Sequence, residues 1–138
     1  TELMKKLLIT LFLAVSTVVF SFAQNELPEK ASIFLETHFS NIQIQKVSRV
    51  DIEQVQIFKV LLADKTQIEF DQTGAWTKIN YKKSPKTISY LPETLQQEIE
   101  SNKQIKKVRE IETDGYDIAI QLKNKKQVKG NRFGKLEK

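Results

Sequence analysis

No cysteine occurs in the 138 residues. Disulfides, thiolate nucleophiles, cysteine metal sites and a lipid carried on cysteine are therefore excluded, and a folded domain must be held by its core alone. Histidine is nearly absent as well. His38 is the single one, so neither a histidine metal centre nor a pair of catalytic histidines can be assembled. Of the four glycines, only Gly130 and Gly134 lie close together, and they open no helix, which leaves no phosphate-cradling loop. Aspartates and glutamates are plentiful but scattered, with no two spaced to meet on one helix face. The residues around Asp71 lack the series of oxygen ligands that a calcium loop requires. The expectation is a chain with no catalytic residues, no metal and no cofactor.

What the chain does have begins with one long apolar run. Lys5 and Lys6 follow Met4, residues 7–22 are apolar, and Ser21 and Ala23 place small residues three and one before a cut between Ala23 and Gln24. This is the layout of a secretory signal peptide. Thr1, Glu2 and Leu3 lie ahead of that start and would be a mis-started beginning. The competing reading is a retained anchor, for which the run falls short of the roughly 20 apolar residues of a spanning helix, with no basic stop-transfer cluster behind it. The expected product is periplasmic or secreted, with no membrane span after cleavage and one modest domain over 24–138.

The formal charge of +5 would fall to +4 once Lys5, Lys6 and Glu2 leave. Most of the excess lies near the end, in Lys123, Lys125, Lys126, Lys129, Arg132, Lys135 and Lys138. Attraction to an anionic surface is one reading. Lysine that discourages edge-to-edge strand pairing is the other. Nucleic acid is a poor partner for an exported chain without a recognised binding motif.

The chain repeats itself. Leu27-Pro28-Glu29 returns as Leu91-Pro92-Glu93, and each opens a helical pattern: Ala31, Phe34, Leu35 and His38 up to about Phe39, then Leu95 and Ile99, with Asn102 at the same spacing. Proline suits a first helical turn and glutamate suits the positive helix end. After each helix the period becomes two. Phe58, Val60 and Leu62 alternate with Ile57, Lys59 and Leu61, as Ile118, Ile120 and Leu122 alternate with Asp117, Ala119 and Gln121, which reads as antiparallel strands with one face on a core. A shift of 60 lays Val60 on Ile120, Asp64 on Asn124, Asp71 on Asn131, Gly74 on Gly134 and Trp76 on Leu136.

Asp64-Lys65 and Asn124-Lys125 read as hairpin tips, Asp114-Gly115 as a two-residue hairpin, and Asp71 to Gly74 as a type I turn. Less regular strands, about 43–50 and 105–111, precede these hairpins. The expected fold is α+β: a tandem repeat of one helix plus about four antiparallel strands, with both helices on one face of the sheet. The repeats span about 27–81 and 91–138, linked by 82–90.

With no catalytic constellation, a surface is the remaining candidate for function. Ile57, Lys59 and Leu61 should face away from the helices, with Gln67 and Glu69 beside them, and two large aliphatics there exceed what a solvated sheet needs. Ile79 and Tyr81 share a face of the next strand, which Trp76 starts. The bland reading is a second small core under the 82–90 link, closed by Tyr81 and Tyr90. His38 reads as a helix-end or partly buried residue. Three functions stay open: a protein-binding module, a carrier of a small apolar or anionic ligand using Trp76, Tyr81 and Tyr90, and a structural or stress-related envelope protein.

The stretches LPEKASIFLETHFSN (27–41), QIEFDQTGAWTKI (67–79) and LPETLQQEIE (91–100) are similar to those of the exported PepSY-like proteins, also described as resembling the beta-lactamase-inhibitor protein. The resemblance covers nearly all of 24–138. The second half departs from it, with Gly130 in place of the aromatic Phe70, Leu136 in place of Trp76 and Lys103 in place of Phe39. The resemblance implies an exported tandem α+β repeat without known catalysis. It also implies an envelope protein or peptidase as partner, since PepSY-type domains are associated with restraining peptidases and the inhibitor protein grips its enzyme with the open face of its sheet. No contact residue carries over from either.

Overall fold

The computed structural model describes residues 27–137, so the expected leader at 1–23 and the expected cut between Ala23 and Gln24 lie outside the described residues. Helix α1 spans Glu29–His38 and α2 spans Glu93–Ser101. Pro28 and Pro92 sit one residue earlier than expected, as the flanking residues, with φ of −53° and −55° and extended ψ of 143° and 146°. The proline ring fixes φ, and the Pro28 and Pro92 carbonyls accept the first helical bonds, from Ala31 and Gln96 among others. Leu27 and Leu91 bury themselves just ahead and anchor each helix start. Asn102 does not extend the buried face of α2. It is exposed at the helix end, where its amide donates back to the Glu98 carbonyl at 2.8 Å.

Seven strands form one antiparallel sheet in chain order: β1 Ile44–Ile52, β2 Val55–Leu62, β3 Gln67–Phe70, β4 Trp76–Asn80, β5 Val108–Thr113, β6 Asp117–Leu122 and β7 Gln127–Asn131. The strand expected from about 105 starts later, because Ile105–Lys107 forms a single 3-10 turn. The halves join where β4 pairs with β5 through Lys78–Glu112, Ile79–Ile111 and Asn80–Glu110. One core results. Ala31 and Leu35 of α1 share a buried cluster with Leu95 and Ile99 of α2 and with Phe58, Val60, Ile68, Ile111 and Ile120 of the sheet. Both helices therefore cover the same side.

The turns in the two halves are closed by like bonds. Asp64 Oδ1 accepts from the Thr66 N–H at 3.0 Å, and Asn124 Oδ1 from that of Lys126 at 3.2 Å. Asp71 Oδ1 takes the Thr73 and Ala75 N–H groups at 2.9 and 3.1 Å, while Asn131 Oδ1 takes those of Phe133 and Lys135 at 3.0 and 3.1 Å. Short polar side chains that bond their own backbone two residues on make such turns locally stable. Phe70 pairs with Trp76 in β3–β4, and Gly130 pairs with Leu136 in an isolated bridge after β7. The first half thus has four strands and the second has three plus that bridge.

The β1–β2 turn carried no turn signal. Glu53 and Gln54 form its tip with φ of 49° and 67°, a conformation that normally calls for Asn-Gly. Packing of the two long strands on either side holds these residues in a region that disfavours side chains. Gln54→Gly is expected to raise stability by up to about 1 kcal/mol, seen as a higher urea midpoint with unchanged slope.

Candidate functional site

The side of the sheet away from the helices is fixed by register. Because Phe58 and Val60 face the core, Val55, Ile57, Lys59 and Leu61 of β2 face outward. Their partners on β1 are Ile52, Val50, Ser48 and Lys46. Val50, Ile52, Val55 and Ile57 therefore form a continuous aliphatic patch at the β1–β2 end. Val50 is buried yet stands outside the main core, and Val55 is 50% exposed. Leu61 lies farther along the same face, half-buried.

A charged row crosses the sheet beside this patch. Lys59 pairs with Glu69, Glu69 with Lys78, Lys78 with Glu112, and Glu112 with Ala119, which pairs with Lys129. Lys78 Nζ also reaches Glu110 at 3.1 Å, and that hydrogen bond leads the effects that hold its ammonium above the usual lysine range. Gln67 pairs with Leu61 on one side and Asn80 on the other. Ile57, Lys59, Leu61, Gln67 and Glu69 are thus together on the open side.

Trp76 and Tyr81 are not with them, and their expected place on a shared partner surface is corrected. Tyr81 is buried, and Trp76 packs on the helix side against Phe34 at 6.3 Å and Tyr90 at 5.6 Å between ring centroids. Ile79 is likewise fully buried in the main core. The 82–90 link also belongs to the helix side, where Ile88 is buried in the main core and the Tyr90 and Tyr81 hydroxyls meet at 2.5 Å. Burial holds both phenols well above their ordinary range. The link therefore closes the main core, and the outer face has no cover from it.

Sequence reading missed Val50, Ile52 and Val55. β1 carries apolar residues toward both sides, Val47 inward and Val50 and Ile52 outward, so its alternation is blurred, and only pairing with the strongly alternating β2 assigns each side.

His38 packs between Phe34 and Tyr90 and shares a 2.9 Å hydrogen bond between its Nδ1 and the Ser89 hydroxyl, which ties α1 to the link. Burial pushes its pKa below the ordinary 6.5, so the fold favours neutral imidazole. Its contribution is complete above 6.5 and is lost as pH falls toward the depressed folded value, because the unfolded chain takes up the proton first. Stability should decline as pH falls through 6.5, and His38→Gln should flatten part of that decline in urea titrations. At Asp71 burial alone would raise the carboxyl. The Thr73 hydroxyl and the Ala75 and Thr73 N–H groups outweigh it and, with Lys30 nearby, hold it below the usual value.

A family profile described as "Putative beta-lactamase-inhibitor-like, PepSY-like" matches residues 56–138, more than half of the chain. The chain belongs to the PepSY-like family. The match starts in β2 and takes in the whole second half, the part whose sequence departs most from the motifs of the first. Three solved structures share the fold of this PepSY-like chain. One, from Bacteroides vulgatus and described as a "putative periplasmic protein", is 22% identical over 89% of this chain and 97% of its own, with a TM-score of 0.71. A second from the same species, described as of unknown function, is 25% identical over 84% and 93%, also at 0.71. The third, described as a "putative calcium-regulated periplasmic protein" of Bacteroides thetaiotaomicron, is 23% identical over 85% and 92%, at 0.72. No curated protein matches. Among the described residues no three of His, Asp or Glu are grouped to hold a metal ion, and no helix is long and apolar enough to cross a membrane.

Proposed function

We propose that this PepSY-like chain is an exported, non-catalytic binding module that docks a protein partner, an envelope peptidase among the candidates, on the open side of its sheet. The observation that carries this reading is the aliphatic patch of Val50, Ile52, Val55 and Ile57 on a helix-free face, continued by Leu61 and bordered by the alternating row of Lys59, Glu69, Lys78 and Glu112. An apolar centre with a polar margin is the make-up of protein interfaces. The interleaved charges suit a partner strip of complementary alternation and would set register more than affinity. Export is supported by the leader-like start and by the periplasmic description of the solved relatives.

The chain also reads as two copies of one unit, 27–81 and 91–138. Supporting this are the matched helix starts at Pro28 and Pro92, offset by 64, and the matched Asp/Asn turns and the Phe70–Trp76 and Gly130–Leu136 pairs, offset by 60.

The test is affinity capture from envelope extract with the wild-type chain, Ile57→Ser, Leu61→Ser, Lys59→Glu and a helix-side control, Lys30→Gln. A docking face requires one protein held by wild type and control, lost with folded outer-face variants, and rebound by the purified pair in a salt-dependent way. Equal retention by all five proteins, or none by any, removes the reading.

A further inference from the structure

A second feature lies on the helix side, independent of the open face. A groove of about 470 Å³ runs between the start of α1 and the β5–β6 turn. Its apolar lining combines three aromatic rings, Phe34, Trp76 and Tyr90, with Leu91, Pro92 and Ile118. These rings are fixed before any ligand arrives, since Phe34 and Tyr90 are 5.7 Å apart, both pack on Trp76, and the Tyr90 hydroxyl is bound to Tyr81.

The charged residues lining the groove are Lys30 and Arg132, both cations. Among the described residues neither has a carboxylate within ion-pair distance. Asp71 is near enough to Lys30 to feel its charge, but its carboxylate is occupied by the Thr73 and Ala75 groups of its own turn. Asp114, in the β5–β6 turn, is likewise occupied by the Tyr116 and Asp117 N–H groups. The Arg132 guanidinium lies 4.8 Å from the Phe133 ring centre and 5.9 Å from that of Tyr116, and its backbone N–H donates to the Tyr116 carbonyl at 2.8 Å. Phe133 and Tyr116 are 73% and 49% exposed. Exposed rings holding a cation beside a groove would waste apolar surface unless something covers them.

We propose that this groove binds a small aromatic carboxylate, its ring packed on Trp76 and its neighbours and its carboxylate met by Lys30 and Arg132. The volume suits a ligand of that size. Aromatic rings beside two cations, with no free acid among the lining residues, select against neutral and cationic analogues.

The experiment is an NMR titration of the purified protein with 2-naphthoate and with 2-naphthylmethanol, which has the same ring without the charge. Naphthoate should shift the Trp76 indole resonance saturably and bind at least about tenfold tighter than the alcohol. Lys30→Gln and Arg132→Gln, both on exposed residues, should each weaken naphthoate several-fold. Lys59→Gln and Leu61→Ser on the opposite face should leave it unchanged, so failure here is separable from failure of the docking surface. The proposal is overturned by an unmoved Trp76 resonance, by equal binding of acid and alcohol, or by naphthoate affinity indifferent to both cations.

Discussion

Phe70→Ala is expected to lower stability by about 3–5 kcal/mol, the range for a large aromatic removed from a core that cannot collapse around the hole. Phe70 is fully buried and meets Phe34 edge-to-face at 5.7 Å. Against a total stability of about 5–15 kcal/mol that is a large share, so the urea transition should move far to the left or vanish. The second half shows why such a ring is not obligatory to the fold. At the position offset by 60 from Phe70 stands Gly130, and a Cβ built there would lie 2.8 Å from Leu95 Cδ2 and 2.8 Å from the Lys135 carbonyl. Leu95 in turn occupies the α2 position that corresponds to Ala31 on α1. The first half packs a small helix residue, Ala31, with a large strand residue, Phe70, and the second packs a large helix residue, Leu95, with the glycine at 130.

This exchange has a consequence for mutants. Gly130→Ala alone should cost about 1–3 kcal/mol by overpacking. Leu95→Ala alone should cost about 2–5 kcal/mol. Together they should cost clearly less than the sum, because the new methyl enters space that Leu95 Cδ2 vacates, with the Lys135 carbonyl limiting the recovery. Strictly additive losses in the cycle would show that Leu95 and Gly130 are not coupled.

The fold was legible wherever one residue type had a single physical use. The two helices after Leu-Pro-Glu, the β2 and β6 alternations and the Asp64, Asp71 and Asn124 turns match the structure, since each is decided within a few residues. What was missed depends on partners distant in sequence. Glu53-Gln54 turns without a turn signal because the flanking strands impose it. Ile105–Lys107 coils into a 3-10 turn where a less regular strand is expected from about 105. Trp76 and Tyr81 share a strand region with outward residues, yet the register shift between Glu69 and Phe70 and the ring of Tyr90 draw Trp76 to the helix side. Of the expected surface, Ile57, Lys59, Leu61, Gln67 and Glu69 were readable from period two alone. Arg132 and Phe133, by contrast, come beside Tyr116 through the β6–β7 pairing, which no local pattern reveals.

Gly74→Ala should be the other severe change, at about 2–5 kcal/mol. Gly74 has φ of +90°, where alanine costs about 1–2 kcal/mol from backbone strain alone. Its new Cβ would also lie 2.9 Å from both the Ala31 nitrogen and Pro28 Cβ, at the site where Ala31 makes the first bond of α1. Backbone and proline ring cannot swing aside, so α1 must shift, and overpacking adds about 1–3 kcal/mol. Gly134, with φ of +86°, carries the same strain but meets mainly the Thr94 hydroxyl at 2.6 Å. That side chain can rotate away, giving up its hydrogen bond to the Gly134 carbonyl. Gly134→Ala should therefore cost less, about 1–3 kcal/mol, and Thr94→Ala should relieve part of it. Equal losses at the two glycines would refute this account. Gly74 also lines the groove beside Trp76, so its variant should shift Trp76 emission before the unfolding transition, while Gly134→Ala leaves the emission unchanged.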